Sequence, residues 1–332
     1  MKRTLGFLIV LAALGCAVSC SRTEAGAGAP LPPPQAKNGY TVGIIQLADN
    51  GAFTDMRNGF IDKMRWLGYG GDRLKIDYRN AQGDTATLAA ICQEMANAKY
   101  DLVVPVVTPA TQAFVNLDSG IPVVFISVTN PVAAGIMGSL EKPDKNATGT
   151  SNLVPVDEIF KVAKTLTPGV KKFGILYNTG ESNAVTTVQK AKEYLGANGY
   201  AFVESTVANS SEVQQAAEIL IAGVDAIYVP IDSMVQSAMP QVAQIAKEAK
   251  KPVYGSSPVM VVSGALATVS VSDRQCGAIA AEMAHKYFTG TPIAQIPALM
   301  LKDFTTVINK NTAAALGIAI PESLASAVLI GN

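Results

Sequence analysis

The sequence predicts an α/β protein of two lobes, each built on a parallel sheet covered by helices, with a ligand cleft between them. Three observations carry this. Short apolar runs at residues 41–47 (TVGIIQL), 101–107 (DLVVPVV) and 121–128 (IPVVFISV) are followed by a second set at 172–177 (KFGILY), 225–231 (DAIYVPI) and 251–256 (KPVYGS). Helical stretches separate consecutive runs, and near-continuous rather than alternating apolar runs mark strands buried on both faces. Small polar residues gather just after these runs, at the carboxyl ends of strands where parallel sheets receive ligands. A length of 332 residues suits two lobes of ordinary size.

The elements follow in order. Residues 53–67 place Phe53, Met56, Phe60, Met64 and Leu67 on one helix face. Trp66 on this helix is read as packing. A glycine-rich turn at 68–72 leads to a strand at 74–78, and Asp84 or Thr85 caps the next helix. Thr108-Pro109-Ala110-Thr111 opens another helix, and the strand at 121–128 runs into Thr129-Asn130-Pro131. Residues 149–155 (GTSNLVP) read as the crossing to the second lobe. There, helices at 155–166, 184–196 and 211–222 alternate with strands at 173–177 and 201–205. A strand at 267–271, a helix at 273–288 and a strand around 305–308 remain once the second copy is complete. The chain is therefore expected to return to the first lobe and cross back. The expected lobes are residues 40–152 with 267–297, and 153–266 with 298–332.

The N-terminus reads as an export leader over residues 1–20. Lys2 and Arg3 precede an apolar run at 5–18, too short for a spanning helix. Ala17-Val18-Ser19-Cys20 has the form of a bacterial lipobox with Cys20 as the lipidated residue, and Cys16 is a second candidate. Residues 21–39, rich in Ala, Gly and Pro, cannot bury a core and read as a tether. Such a leader places the protein in the cell envelope, on the outer face of a bacterial membrane. Cys92 and Cys276 lie in apolar-periodic helices, where cysteine packs as a small hydrophobe; a disulfide between them is left open.

The charge balance is neutral, and losing Lys2 and Arg3 leaves the body slightly acidic, which excludes the footprint of a nucleic-acid binder. Catalysis has little to stand on. The single histidine, His285, sits near a helix C-terminus, and neither a Walker A pattern nor a GxGxxG after a strand is present. No cofactor or metal is expected, and the protein is not read as an enzyme. The strand-end residues Asp49, Thr108, Thr111, Thr129, Asn130, Glu181, Ser182, Asn183, Asp232 and Ser257 instead form a candidate ligand site. Helix N-termini there suit a carboxylate, and an isolated acid such as Asp232 suits an ammonium group. Phe53, just past the first strand, can wall a side-chain pocket.

Order and spacing of several short motifs resemble the ABC transporter substrate-binding lipoproteins of the tryptophan/aromatic-amino-acid type. They are Asn80-Ala81-Gln82-Gly83-Asp84, Thr108-Pro109-Ala110-Thr111-Gln112, Val128-Thr129-Asn130-Pro131, Gly149-Thr150-Ser151-Asn152, Tyr177-Asn178 with Glu181-Ser182-Asn183, and Pro230-Ile231-Asp232-Ser233. The resemblance covers residues 40 to about 323. It implies a type I periplasmic-binding-protein clamp, two Rossmann-like lobes joined by three hinge crossings. It also implies capture of an amino acid, aromatic or branched, by a monomer that serves a permease driven by a separate ATPase. By position it makes Thr111, Thr129 and Asn183 partners of the ligand's polar end, Asp232 the ammonium partner and Asp273 a further cleft contact. Two departures flank the expected pocket. Residues 50–55 (NGAFTD) replace a His-Pro-Ala-Leu-Asp-like stretch, and Asp273-Arg274-Gln275 stands where relatives carry Asp-Tyr-Tyr. These leave ligand identity open to a sugar or nucleoside, and the same clamp can serve a ligand-sensing receptor.

Overall fold

The structure, a computed structural model, describes residues 37–331. The leader, Cys16, Cys20 and residues 21–36 of the expected tether lie outside the described residues. The first part of the chain runs β1 (Tyr40–Gln46), α1 (Gly51–Trp66), β2 (Leu74–Asn80), α2 (Thr85–Ala96), β3 (Leu102–Pro105), α3 (Val107–Val115), β4 (Val123–Val128) and β5 (Ala147–Ser151). The second continues through α4 (Val156–Leu166), β6 (Lys172–Asn178), α5 (Ser182–Ala197), β7 (Ala201–Val207), α6 (Val213–Ala222), β8 (Ala226–Val229), α7 (Ser233–Ser237), α8 (Met239–Glu248), β9 (Val253–Gly255) and α9 (Pro258–Val262). The remainder supplies β10 (Ala267–Ser270), α10 (Asp273–Phe288), β11 (Leu299–Met300), β12 (Thr305–Asn309), α11 (Lys310–Leu316) and β13 (Val328–Ile330).

Two sheets result, with strand orders β11-β5-β4-β3-β1-β2 and β13-β12-β10-β9-β8-β6-β7. Pairing is parallel throughout except between β10 and β12, which run antiparallel. The chain passes between the sheets three times: after β5, between β10 and α10, and between β11 and β12. Two expected boundaries move. β10 pairs with β9 and β12, so the return to the first lobe falls at Val271–Ser272 and not before Ala267. β11 pairs with β5, so the last crossing follows Met300 and not residue 297. Both shifts depend on long-range strand partners, which an apolar run does not name.

Each sheet packs apolar side chains on both faces. In the first, Val42, Ile44, Leu102 and Val104 face α1 and α10, while Ile45, Val103 and Phe125 face the α2–α3 side. Cys276 belongs to the first of these layers and Cys92 to the second, and both are free thiols. The sheet between them explains why they do not pair. β5, whose residues 149–151 were read from sequence as part of a crossing, is a wholly buried strand of small and hydroxyl-bearing residues (ATGTS). Its hydroxyls are used internally: Thr148 Oγ1 donates to Ile296 O at 2.6 Å, and Thr150 Oγ1 accepts from Ser127 N at 3.0 Å.

α10 returns from the second sheet to lie along α1. Glycines permit this close approach, since a Cβ at Gly277 would sit 1.9 Å from Met56 O and one at Gly59 2.1 Å from Arg274 O. Trp66 is not a packing residue. It is 75% exposed, with Lys63 Nζ 4.2 Å over its ring, because Phe60 and Met64 occupy the inward face of α1. His285, near the end of α10, is half-buried and shares a 2.9 Å hydrogen bond with the Tyr69 hydroxyl.

Candidate functional site

Strands of the two sheets point their carboxyl ends at one another, and a cavity lies between them. Its first-lobe wall comes from α1 (Ala52, Phe53, Met56), the start of α3 (Val107, Thr108) and the end of β4 (Ser127, Thr129). The second lobe contributes Asn183 of α5, Ile231 and Asp232 after β8, Ser233 and Gln236 of α7, and Ser257 before α9. Asp273 enters from the first residue of α10, immediately after a crossing.

Val107 and Ser127 adopt left-handed backbone conformations, with φ of 64° and 60°. A non-glycine residue, and above all the β-branched Val107, is strained there, by about 1–3 kcal/mol. Both stand where a strand of the first sheet ends at the cavity, so part of the chain's backbone strain lies on the ligand-facing rim. Thr129 N donates to Thr108 Oγ1 at 3.3 Å, which joins the two strand ends. Ser127 Oγ accepts from the side chain of Asn152, at the first crossing, at 3.0 Å.

The second-lobe wall is organised by two acids. Asp232 caps α7 by accepting from Val235 N at 2.8 Å, and its other oxygen accepts from Asn178 N at 2.6 Å. Glu181 accepts from Ser233 N and Met234 N at 3.0–3.2 Å and from Asn183 Nδ2 at 3.3 Å. Burial raises the pKa of both carboxyls, and the nearby Glu181 raises Asp232 further. Asn183 Nδ2 also donates to Ile231 O at 2.7 Å, while its Oδ1 is buried with no partner among the described residues. Ser257 Oγ donates to Gln236 Oε1 at 2.5 Å, which orients that amide at the cavity wall.

Of the residues expected from sequence, Phe53, Thr108, Thr129, Asn183, Asp232, Ser257 and Asp273 line the cavity. Five are placed elsewhere. Asp49 is exposed and accepts from Thr54 Oγ1. The Thr111 hydroxyl is spent within α3 on Val107 O at 2.8 Å. Asn130 accepts from Ala133 N in the following turn, and Glu181 stands behind Asp232. Ser182 sits outside the cavity and donates to Gln112 of the first lobe at 3.1 Å, a hydrogen bond across the cleft. Ala52, Met56, Val107, Ser127, Ile231 and Gln236 line the cavity without having been singled out as site residues, and Ser233, a strand-end polar residue beside Asp232, lines it too. Met56 was legible only as a core position of α1, and nothing in the sequence pattern marked Gln236.

Asp232 and Asp273 are the only ionisable side chains among the lining residues, so a ligand carboxylate meets hydroxyls, amides and backbone N–H groups, not a base. Chemically the cavity can hold and orient a small solute. Two α/β lobes joined by three crossings around such a cavity define a periplasmic-type solute-binding protein.

The chain belongs to the ABC transporter substrate binding protein family, which matches residues 41–328. It is 36% identical over 313 residues to a tyrosine-binding protein of Clostridioides difficile (strain R20291), covering 93% of this chain and 91% of that one. The crystal structure of an ABC domain in complex with L-Trp from Streptococcus pneumonia superposes with a TM-score of 0.85 at 32% identity, covering 88% of this chain and 100% of that one. A ligand-free, open substrate-binding protein with adhesive properties from Clostridium difficile, 34% identical, covers 88% and 99% but reaches only 0.67. At near-equal identity, the chain superposes more closely on the L-Trp complex than on the ligand-free, open structure.

Proposed function

We propose that this protein captures an aromatic amino acid between its lobes and presents it, enclosed, to an ABC permease driven by a separate ATPase, without performing a reaction on it. The carrying observation is the composition of the cavity. Phe53, Met56, Val107 and Ile231 offer apolar surface for a ring, while Thr108, Thr129, Ser257 and Gln236 offer neutral polar groups for a carboxylate. Relatives that bind tyrosine and L-Trp support the same class of ligand. Micromolar affinity asks for about 8 kcal/mol, within reach of one buried ring, one ion pair and several hydrogen bonds. No helix among the described residues is long and apolar enough to cross a membrane. The body acts as a monomer and is held at the outer face of the membrane by a lipid on Cys20; the leader motif supports the lipid anchor. Screening the leaderless protein by thermal shift tests the ligand class, since binding to the native state raises the melting temperature. L-Tyrosine or L-tryptophan should raise it, and sugars and nucleosides should not. A shift with a sugar or nucleoside alone would reassign the ligand.

A further inference from the structure

The two cavity acids are held in opposite ways. Both oxygens of Asp232 are occupied by backbone N–H groups, at 2.8 and 2.6 Å, so the chain itself satisfies much of its charge. Asp273 is only 7% exposed, yet it accepts no hydrogen bond from any described residue. The charge that acts on it is that of another acid, Asp55 of α1. Arg274, next in sequence, is turned away and paired with Asp62. A buried carboxylate without donor or counter-ion is costly, and folded chains retain one chiefly where something else completes it. Asn183 Oδ1 is a second buried acceptor without a partner in the same cavity.

Building on the proposed amino-acid ligand, we propose that Asp273, together with Asn183 Oδ1, receives the ligand's ammonium group, and that Asp232 serves chiefly to hold the second-lobe wall. α10 packs against the first sheet, whereas Asn183 belongs to α5 of the second lobe. One ammonium then bridges the two lobes, so recognition of its charge is joined to closure. Hydrogen bonds from an ammonium satisfy both orphan acceptors at once.

Calorimetric titration of the full mature chain tests this with L-tyrosine or L-tryptophan, whichever the wild type binds, and with its deamino analogue. Asp273→Asn should weaken amino-acid binding at least about thirtyfold, the loss expected when one partner of a buried charge pair is removed. It should weaken binding at least tenfold more than Asp232→Asn does, on the order set by that same difference in pairing. The sharper reading is the ratio of affinities for amino acid and deamino analogue. It should be large in the wild type and fall towards one in Asp273→Asn, a change that a purely structural role would not produce. Asp273→Ser, small, neutral and suited to a helix start, replaces the Asn variant if that one does not fold. An unchanged ratio, or a greater loss in Asp232→Asn, overturns the assignment. Failure of the wild type to bind any amino acid would overturn the functional reading instead.

Discussion

Glu181 and Asp232 lie side by side in the second lobe, both buried, both accepting from backbone N–H groups around the start of α7. From sequence, Asp232 reads as an isolated acid suited to a ligand's ammonium group. The hydrogen bonds to Asn178 N and Val235 N make it a structural residue as well, because the sequence shows a helix start but not which distant backbone groups meet there. Burial raises both acids, and it pushes Asp273 up to about 7. The sign follows from linkage. The folded chain holds protons that the unfolded chain releases near pH 4, so these groups lend stability at low pH that is lost as pH rises towards 7. Asp77, Asp84, Glu204 and Asp225 are shifted the other way and act only below about pH 4. The unliganded protein should therefore melt at a higher temperature at pH 5.5 than at pH 7.5, and Glu181→Gln should flatten that slope. Scanning calorimetry across this window checks it; a melting temperature that rises with pH would refute the account of the acid pair.

At the scale of elements, α1 and α10 set the cavity's first wall. Phe53 and Met56 come from one helix and Asp273 from the other, and Gly59 and Gly277 let them lie in near-contact. Gly277→Ala adds a Cβ where Met56 O already stands, and the overpacking should cost about 1–3 kcal/mol despite alanine's better helix propensity. Melting should fall by several degrees, with weaker ligand binding because Asp273 is displaced with its helix. A melting point equal to or above that of the wild type would show that the helices are not so tightly joined. The strands with apolar runs and the helices with regular spacing were legible in the sequence for physical reasons: burial on two faces or on one stripe dictates the residue pattern. β5 was not legible, because its ATGTS sequence satisfies its hydroxyls within the fold and shows no aliphatic run. β11, two residues long, pairs with β5 of the first part of the chain, and the sheet membership of β10 is set by its pairing with β9 and β12, neither of which local pattern names. The same limit applied to the site: strand-end position identified where ligand groups gather, but not that Thr111 and Asn130 spend their polar atoms on their own turns.

For the molecule as a whole, three crossings allow two rigid lobes to turn about a hinge while the cavity walls keep their shape. Groups from both lobes line the cavity, and Ser182 reaches Gln112 across its rim, so ligand contacts and lobe contacts are made in the same arrangement. A ligand that touches both walls stabilises that arrangement by its differential affinity for it. Small-angle X-ray scattering on protein stripped of ligand, with and without saturating aromatic amino acid, reads this directly. A smaller radius of gyration with L-tyrosine or L-tryptophan, and no change with a sugar that does not bind, is the expected result; binding that leaves the radius unaltered would contradict a clamp that closes on its solute.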